Sequence, residues 1–161
     1  MRFLEFGGSA RADHGAAERE RAVFEEIRKT VSPNTPMSHN PAGPLLSLAS
    51  ELLSARIAGD AVSHLRCAVE IQDAFVYDEP PAWYYPVRES LGAALLREGK
   101  APEAEMVFRE GVRRSPRNGR MLFGLMESLK ALGRGEEAGM VRKEFEAAWA
   151  KADLQLSIGD L

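Results

Sequence analysis

The stretch LGAALLREGKAPEAEMVFRE at residues 91–110 decides the fold, because its pattern returns 34 residues later as LMESLKALGRGEEAGMVRKE at residues 125–144. Two unrelated stretches of this length share roughly one or two identities at ordinary amino-acid usage, whereas these share eight. The shared positions are Leu91, Leu95, Gly99, Glu103, Ala104, Met106, Val107 and Glu110, matched by Leu125, Leu129, Gly133, Glu137, Ala138, Met140, Val141 and Glu144. This period is typical of helix–turn–helix units that stack on copies of themselves and leave a long surface free for a partner.

Each copy carries the signals of two helices joined by a turn. Leu91 and Leu95 lie four residues apart, on one face of a helix, and Gly92 lets a second helix approach closely. Gly99 predicts a left-handed end to the first helix, and Pro102 follows where a first helical turn tolerates proline. The inward stripe of the second helix consists of Ala104, Val107, Phe108 and Val112. The pattern predicts an antiparallel helical hairpin, twice.

The period and its signature positions resemble the tetratricopeptide repeat. A first unit at 85–118 fits the family pattern, with Arg88 in place of the usual tryptophan. The matching positions are Leu91, Gly92, Leu95, Ala104, Phe108 and Pro116. A second unit at 119–152 has Met126 where a small residue is expected, and its glycine, Gly124, precedes Leu125. The resemblance implies an all-α fold of about seven helices, in which antiparallel hairpins stack as a short right-handed α-solenoid.

Upstream of these units the pattern is weaker. An apolar helix at 45–58 and a seam that begins at Ala61 predict a degenerate repeat at 45–75. Aligning Ala61 with Ala104 makes the turn of this repeat about three residues shorter than usual. The 45–150 region resembles the C-terminal part of longer bacterial proteins of the same family.

The N-terminal part is predicted to contain one further helix at 10–31. Its apolar stripe consists of Ala16, Val23, Phe24 and Ile27. We interpret it as the second helix of an earlier repeat whose first helix is absent, followed by a linker with proline-rich segments at 32–36 and 40–44. The stripe needs a cover, which is either the helix at 45–58 or a second copy of the chain, and we favour a homodimer.

An acidic and aromatic segment, residues 76–84, separates the degenerate repeat from the first unit and is called the corner below. Pro80 and Pro81 prevent a helix there until about Ala82. The side chains predicted to build the corner are Asp78, Glu79, Trp83, Tyr85 and Arg88. We expect a rigid junction in which a carboxylate accepts amide hydrogen bonds and Arg88 pairs with a nearby carboxylate. The alternatives are a partner contact and, as a distant third, a metal or small-molecule enzyme site that uses Asp73 and the corner carboxylates.

Neither the composition nor the residue spacing indicates a common class of enzyme or of nucleic-acid-binding protein. The net charge is −3, and no apolar run approaches the ~20 residues of a membrane span. The three histidines are scattered without metal-ligand spacing. The single cysteine, Cys67, excludes an internal disulfide, is predicted to be a buried thiol and fits the cytoplasm. We therefore expect no catalysis, cofactor, metal, nucleic acid or membrane as part of the function.

The family resemblance implies that the first helix of each hairpin lines a concave face that binds a protein or peptide. The residues of this chain at those positions are Glu89, Ala93, Leu96, Arg97, Arg120, Phe123, Glu127 and Lys130. They do not form the basic clamp with which chaperone-binding members hold a terminal carboxylate, so we expect a mixed groove with an apolar spot at Leu96 and Phe123. The C-terminal tail at 153–161 is the alternative cover for these positions, and a homo-oligomerising module is the alternative function.

Overall fold

Seven α-helices make up most of the chain in the computed structural model, which describes residues 14–57 and 59–161. They are α1 (His14–Thr30), α2 (Ala42–Ile57), α3 (Ala61–Asp73), α4 (Arg88–Arg97), α5 (Ala101–Arg114), α6 (Gly119–Ala131) and α7 (Gly135–Trp149). A two-residue antiparallel pair, β1 (Pro36–Met37) with β2 (Asn40–Pro41), precedes α2, and a 3₁₀ turn spans Ile158–Asp160. The predicted all-α class is confirmed, while residues 10–13 of the first predicted helix lie outside the described residues. No helix in the described ranges is long and apolar enough to cross a bilayer.

Phe108 on α5 packs between α4 and α6. Its ring is fully buried and lies against Gly92 on α4 and Gly124 on α6. A Cβ at Gly92 would lie 2.4 Å from the ring, and one at Gly124 would lie 2.2 Å from it. Because neither position has room for a side chain, one ring joins three helices. The predicted close approach at Gly92 is confirmed, and Gly124 lets the second unit approach the same ring closely.

The turns within the two repeat hairpins are copies of each other at atomic detail. Gly99 and Gly133 both have φ of +73°, the left-handed region that favours glycine. The amide after each glycine donates to the carbonyl five residues earlier, from Lys100 to Leu95 and from Arg134 to Leu129, both at 2.9 Å. The left-handed end predicted at Gly99 is confirmed, Gly133 repeats it, and each hairpin turns back through three residues.

The degenerate repeat has a register that differs from the predicted one. The buried residues Val62, Leu65 and Val69 on α3 have the spacing of Ala101, Ala104 and Phe108 on α5, so Leu65 rather than Ala61 corresponds to Ala104. α2 ends at Ile57 and α3 begins at Ala61, which is the same separation in sequence as between the two helices of each repeat hairpin. The predicted shortening is wrong because Ala61 is the first residue of α3, where the Asp60 side chain accepts the amide of Ser63.

The first residues of two helices and the exposure of the cysteine also differ from expectation. α2 begins at Ala42 instead of residue 45, because Pro44 falls in the first turn, where no intrahelical amide is needed. α4 begins at Arg88, so residues 85–87 extend the non-helical stretch that was expected to end near Ala82. Cys67 is exposed, because α3 turns Leu65, Ala68 and Val69 inward instead.

The first helix folds back onto α2. Ser50 on α2 donates a hydrogen bond to the carboxylate of Glu25 on α1. No residue of α1 is fully buried, and Val23 and Ile27 stay 54% and 58% exposed. The fold-back that we considered is present, but half of the predicted apolar stripe remains uncovered.

Candidate partner-binding groove

A groove runs between the first helices of the two repeat hairpins and the C-terminal end of α2. It contains a cavity of about 450 Å³. The walls are formed by Arg56, Tyr84, Tyr85, Pro86, Glu89, Ser90, Asn118 and Arg120, together with Asp160 and Leu161. We call this surface the groove. Its arginine, carboxylate, amide and tyrosine groups can form hydrogen bonds with the backbone and the side chains of an extended peptide.

Residues 153–161, called the C-terminal segment, lie against this groove. The hydroxyl of Ser90 on α4 donates to the carbonyl of Leu161 at 3.1 Å, and Arg120 on α6 donates to the carbonyl of Asp160. Leu156 is buried in the same cluster of side chains as Phe123, and Ile158 packs against that cluster. The 3₁₀ turn is closed by Asp160, whose carboxylate accepts from the Ser157 amide and hydroxyl. The chain thus occupies part of its own groove with this segment, whose backbone carbonyls accept hydrogen bonds from side chains of α4 and α6.

Arg120 connects the interior of the array to the C-terminal segment. Its Nε lies 2.5 Å from the carboxylate of Glu89, which is only 2% exposed. Asn118 donates to the same carboxylate at 3.3 Å and also caps α6 by accepting the amides of Arg120 and Met121. A buried carboxylate is stable only when paired and hydrogen-bonded, so Glu89 fixes the guanidinium that then contacts the segment backbone.

The eight predicted partner-binding residues differ in how accessible they are to a partner. Glu89, Ala93 and Phe123 are buried, and Arg120 is half-buried with Asp160 against it. Leu96 and Glu127 are half-buried, whereas Arg97 and Lys130 are exposed, with Lys130 paired to Glu127 at 2.5 Å. Of the eight, Arg120 has the C-terminal cover that we weighed for these positions, and the segment also contacts Ser90, which was not among them. The partner-binding role of the eight stays a prediction.

An aromatic ladder anchors the start of the C-terminal segment. The ring centroids of Phe123 and Phe145 are 5.6 Å apart, and Phe145 stacks on Trp149 at 6.1 Å. A Cβ at Gly119 would lie 2.4 Å from the Trp149 ring, so that glycine admits the indole. The indole N–H then donates to the carbonyl of Leu154 at 2.8 Å, which directs the chain back over the array.

The corner is attached to the β1–β2 turn by buried polar groups. Asp78 is buried and accepts from the Ser38 hydroxyl at 3.0 Å and from the His39 amide at 3.2 Å. Burial opposes ionisation of Asp78, but these hydrogen bonds outweigh it and lower its pKa. The expected amide-accepting carboxylate is therefore Asp78, while Glu79 accepts the hydroxyl of the exposed Tyr77.

Two carboxamides that the sequence analysis missed complete the attachment. Asn40 is buried and bonds both backbone groups of Val76, at 2.9 and 3.0 Å. Gln72 on α3 donates to the carbonyl of Tyr85 and accepts the amide of Val87, both at 2.8 Å. These contacts hold residues 85–87 out of the helix. The only sequence signal was the presence of single amide side chains beside proline-rich loops.

Arg88 pairs with Asp73, one of the carboxylates considered for it. The two terminal guanidinium nitrogens of Arg88 each donate to one Asp73 oxygen at 2.5 Å, and Arg114 lies 3.1 Å from the same carboxylate. The hydrogen bond from Arg88 lowers the pKa of Asp73 more than burial raises it. The structure does not bring Asp73, Asp78 and Glu79 together, because each is engaged with a different partner. No group of three potential metal-ligating side chains occurs within residues 14–57 and 59–161.

Trp83 packs against the main core at the junction of the corner and the array. Its ring centroid lies 6.4 Å from that of Tyr85, and Tyr84 and Tyr85 are 4.8 Å apart. The Trp83 indole N–H is buried without an acceptor in the described residues, which costs about 1–3 kcal/mol. Tyr84 is 84% exposed and borders three neighbouring cavities. The aromatics therefore divide into a packed group and one exposed ring at the rim of the groove.

Comparison with known proteins gives one short similarity. An uncharacterized protein of Aquifex aeolicus (strain VF5) is 39% identical to the chain over 61 residues, which is 37% of this chain and 8% of that protein. The chain thus matches only a small part of its longer relative. No family profile matches the chain, and no solved structure matches it significantly.

Proposed function

We propose that the chain is a non-catalytic tetratricopeptide-like module that binds an extended segment of a protein partner in the groove. The observation that carries this proposal is that Ser90 and Arg120 bind backbone carbonyls of a peptide segment, the C-terminal segment itself. Backbone hydrogen bonds give affinity for an extended chain, and pockets for its side chains give selectivity. The hairpins would stack as a short right-handed solenoid, and the single cysteine favours the cytoplasm.

Calorimetry with a synthetic peptide tests this proposal. The receptor is the full chain with Leu156→Ser, Ile158→Ser and Leu161→Ser, which removes the apolar anchors of the C-terminal segment; circular dichroism first establishes that it stays helical. A peptide of residues 153–161 should bind it at one site with saturation. Adding Ser90→Ala should weaken binding, whereas Lys143→Ala on the exposed side of α7 should leave it unchanged. A folded receptor that binds no peptide would contradict the proposal.

Self-association is the second candidate function, and the exposed apolar residues of α1 favour it. Val23 and Ile27 remain more than half exposed although α1 already packs on α2. A second copy that covers them would form a homodimer across this helix. Sedimentation velocity at micromolar concentration should then show a dimer that Val23→Glu with Ile27→Glu dissociates. A monomer at every concentration would eliminate this candidate. No contact in the described residues favours a metal or small-molecule enzyme at the corner.

A further inference from the structure

A hydrogen-bonded turn lies within the part of the C-terminal segment that contacts the groove. The Asp160 carboxylate accepts the Ser157 amide at 2.7 Å and the Ser157 hydroxyl at 2.6 Å, and the Asp160 amide donates to the Ser157 carbonyl at 3.1 Å. These residues form a capping box, in which two side chains satisfy the free amides of a helical turn. A Ser or Thr followed three residues later by Asp or Glu occurs once in the chain, at this position.

The two carbonyls that the groove binds belong to the last residue of this turn and to the residue after it. Arg120 donates to the carbonyl of Asp160, and Ser90 donates to the carbonyl of Leu161. The Asp160 carboxylate is engaged by Ser157, which is the main cause of its lowered pKa, and the charge of Arg120 contributes least. The turn therefore orders the backbone around both accepting carbonyls.

Apolar side chains flank the polar pair of the turn. Leu156 is buried, and Ile158 and Leu161 pack against the same cluster of buried side chains. Gly159 occupies a position that is open to other residues, because a Cβ there would meet only the Ser157 hydroxyl, at an ordinary contact distance of 3.5 Å. The segment thus combines three packed apolar positions, the two polar residues of the turn and one unrestricted position.

We propose that the groove selects partners whose segment carries the pattern of residues 156–161: an apolar residue, Ser or Thr, a second apolar residue, any residue, Asp, and a third apolar residue. This inference rests on the proposed function and names the partner's sequence class. The Ser or Thr and the Asp act within the segment, because a segment already held in the turn loses less conformational entropy on binding. Selectivity then comes from the turn rather than from charge attraction to Arg120.

Calorimetric titration of peptides into the triple-substituted receptor defined above tests the pattern. The parent peptide has residues 153–161, and all variants share its ends. Ser157→Ala and Asp160→Ala in the peptide should each weaken binding about fivefold, the loss expected for a removed helix cap. Ser157→Thr should bind like the parent, because the backbone of Ser157 is extended, with φ −123° and ψ 168°. Asp153→Ala, the matched control, removes the same charge from an exposed position and should also bind like the parent.

Two further peptides separate the spacing of the turn from its composition. Gln155→Ala with Gly159→Ala changes exposed positions outside the pattern, so binding should be retained. Gln155→Ser with Ser157→Gln keeps the composition, the charge and every apolar position but removes the cap, so binding should weaken about fivefold. Equal binding of these two peptides would overturn the inference.

The outcomes for the inference and for the proposed function can be told apart. If the parent peptide binds, but Ser157→Ala and Asp160→Ala bind equally well, only the turn requirement fails. If Asp160→Ala alone weakens binding, the carboxylate acts through its charge on Arg120, and the turn requirement fails as well. If the parent peptide does not bind the folded receptor, the proposed function itself fails.

Discussion

The repeat hairpins α4–α7 and the corner are joined to their surroundings by different chemistry. In the hairpins, the Phe108 ring fits against Gly92 and Gly124, so apolar contact sets the spacing of three helices. At the corner, Asn40 and Gln72 bond backbone groups of chain segments that have no regular structure. A repeated apolar pattern thus builds the array, and single polar side chains attach the irregular parts. Substitutions in the two regions should therefore act through different mechanisms.

Trp83 lies where the two regions meet, and its truncation should have the largest effect. Trp83→Ala should lower the free energy of unfolding by an amount near the low end of ~3–5 kcal/mol, because the ring is only half-buried. Trp83→Phe should cost far less, because it keeps a ring and removes the buried N–H that lacks an acceptor. Urea denaturation of both variants measures the difference. If Trp83→Ala unfolds like the unmodified chain, the corner is not a structural anchor.

Two glycines test whether tight apolar packing governs the repeat hairpins. Gly124→Ala should destabilise by about 1–3 kcal/mol, because its Cβ would overlap the Phe108 ring. Gly139→Ala lies inside α7 with no atom near its Cβ, so it should stabilise by about 0.5–1 kcal/mol. Thermal unfolding of the pair gives both values. Effects of the same sign would contradict the packing account of the array.

Asn40 tests the polar attachment of the corner. Asn40→Ala should cost about 1–2 kcal/mol, because it leaves both backbone groups of Val76 without their partner. Asn34→Ala, at an exposed position before β1, is the matched control and should change stability by less than about 0.5 kcal/mol. Chemical denaturation compares the two, and equal small effects would remove Asn40 from the attachment.

The ion pair of Asp73 with Arg88 should contribute to the pH dependence of stability. Because the folded pKa of Asp73 is lowered, its contribution is present above the ordinary aspartate pKa and is lost as pH falls through the folded pKa. The pair is partly exposed, so we expect about 0.5–1 kcal/mol. The free energy of unfolding should therefore fall less steeply between pH 7 and pH 2 for Asp73→Asn than for the unmodified chain. Parallel curves would show that this pair contributes nothing.

The sequence predicted the parts that repeat. The spacing of Leu91 and Leu125, with glycines at Gly99 and Gly133, identified two hairpins and the conformation of their turns. Such features are local or periodic, so they can be predicted from a single sequence. The pairing of Arg88 with a nearby carboxylate could also be anticipated from the charges around the corner.

The remaining features depend on contacts between distant residues. Asn40 meets Val76, and Ser90 meets Leu161, across separations that leave no periodic trace. The register of α3 was misjudged because Ala61 has the same small side chain as Ala104, whereas the structure places the larger Leu65 at the corresponding position. Only the burial of Val62, Leu65 and Val69 distinguishes the two alignments.

The central claim is that the groove binds a peptide and that the C-terminal segment is its present occupant. Amide NMR spectra of the receptor with Leu156→Ser, Ile158→Ser and Leu161→Ser test it directly. Ser90 and Arg120 should shift away from their positions in the unmodified chain. The peptide of residues 153–161, added to saturation, should return them, while signals from the exposed side of α7 stay unchanged. If the substitutions leave Ser90 and Arg120 unshifted, or the peptide does not return them, the groove is not a peptide-binding surface.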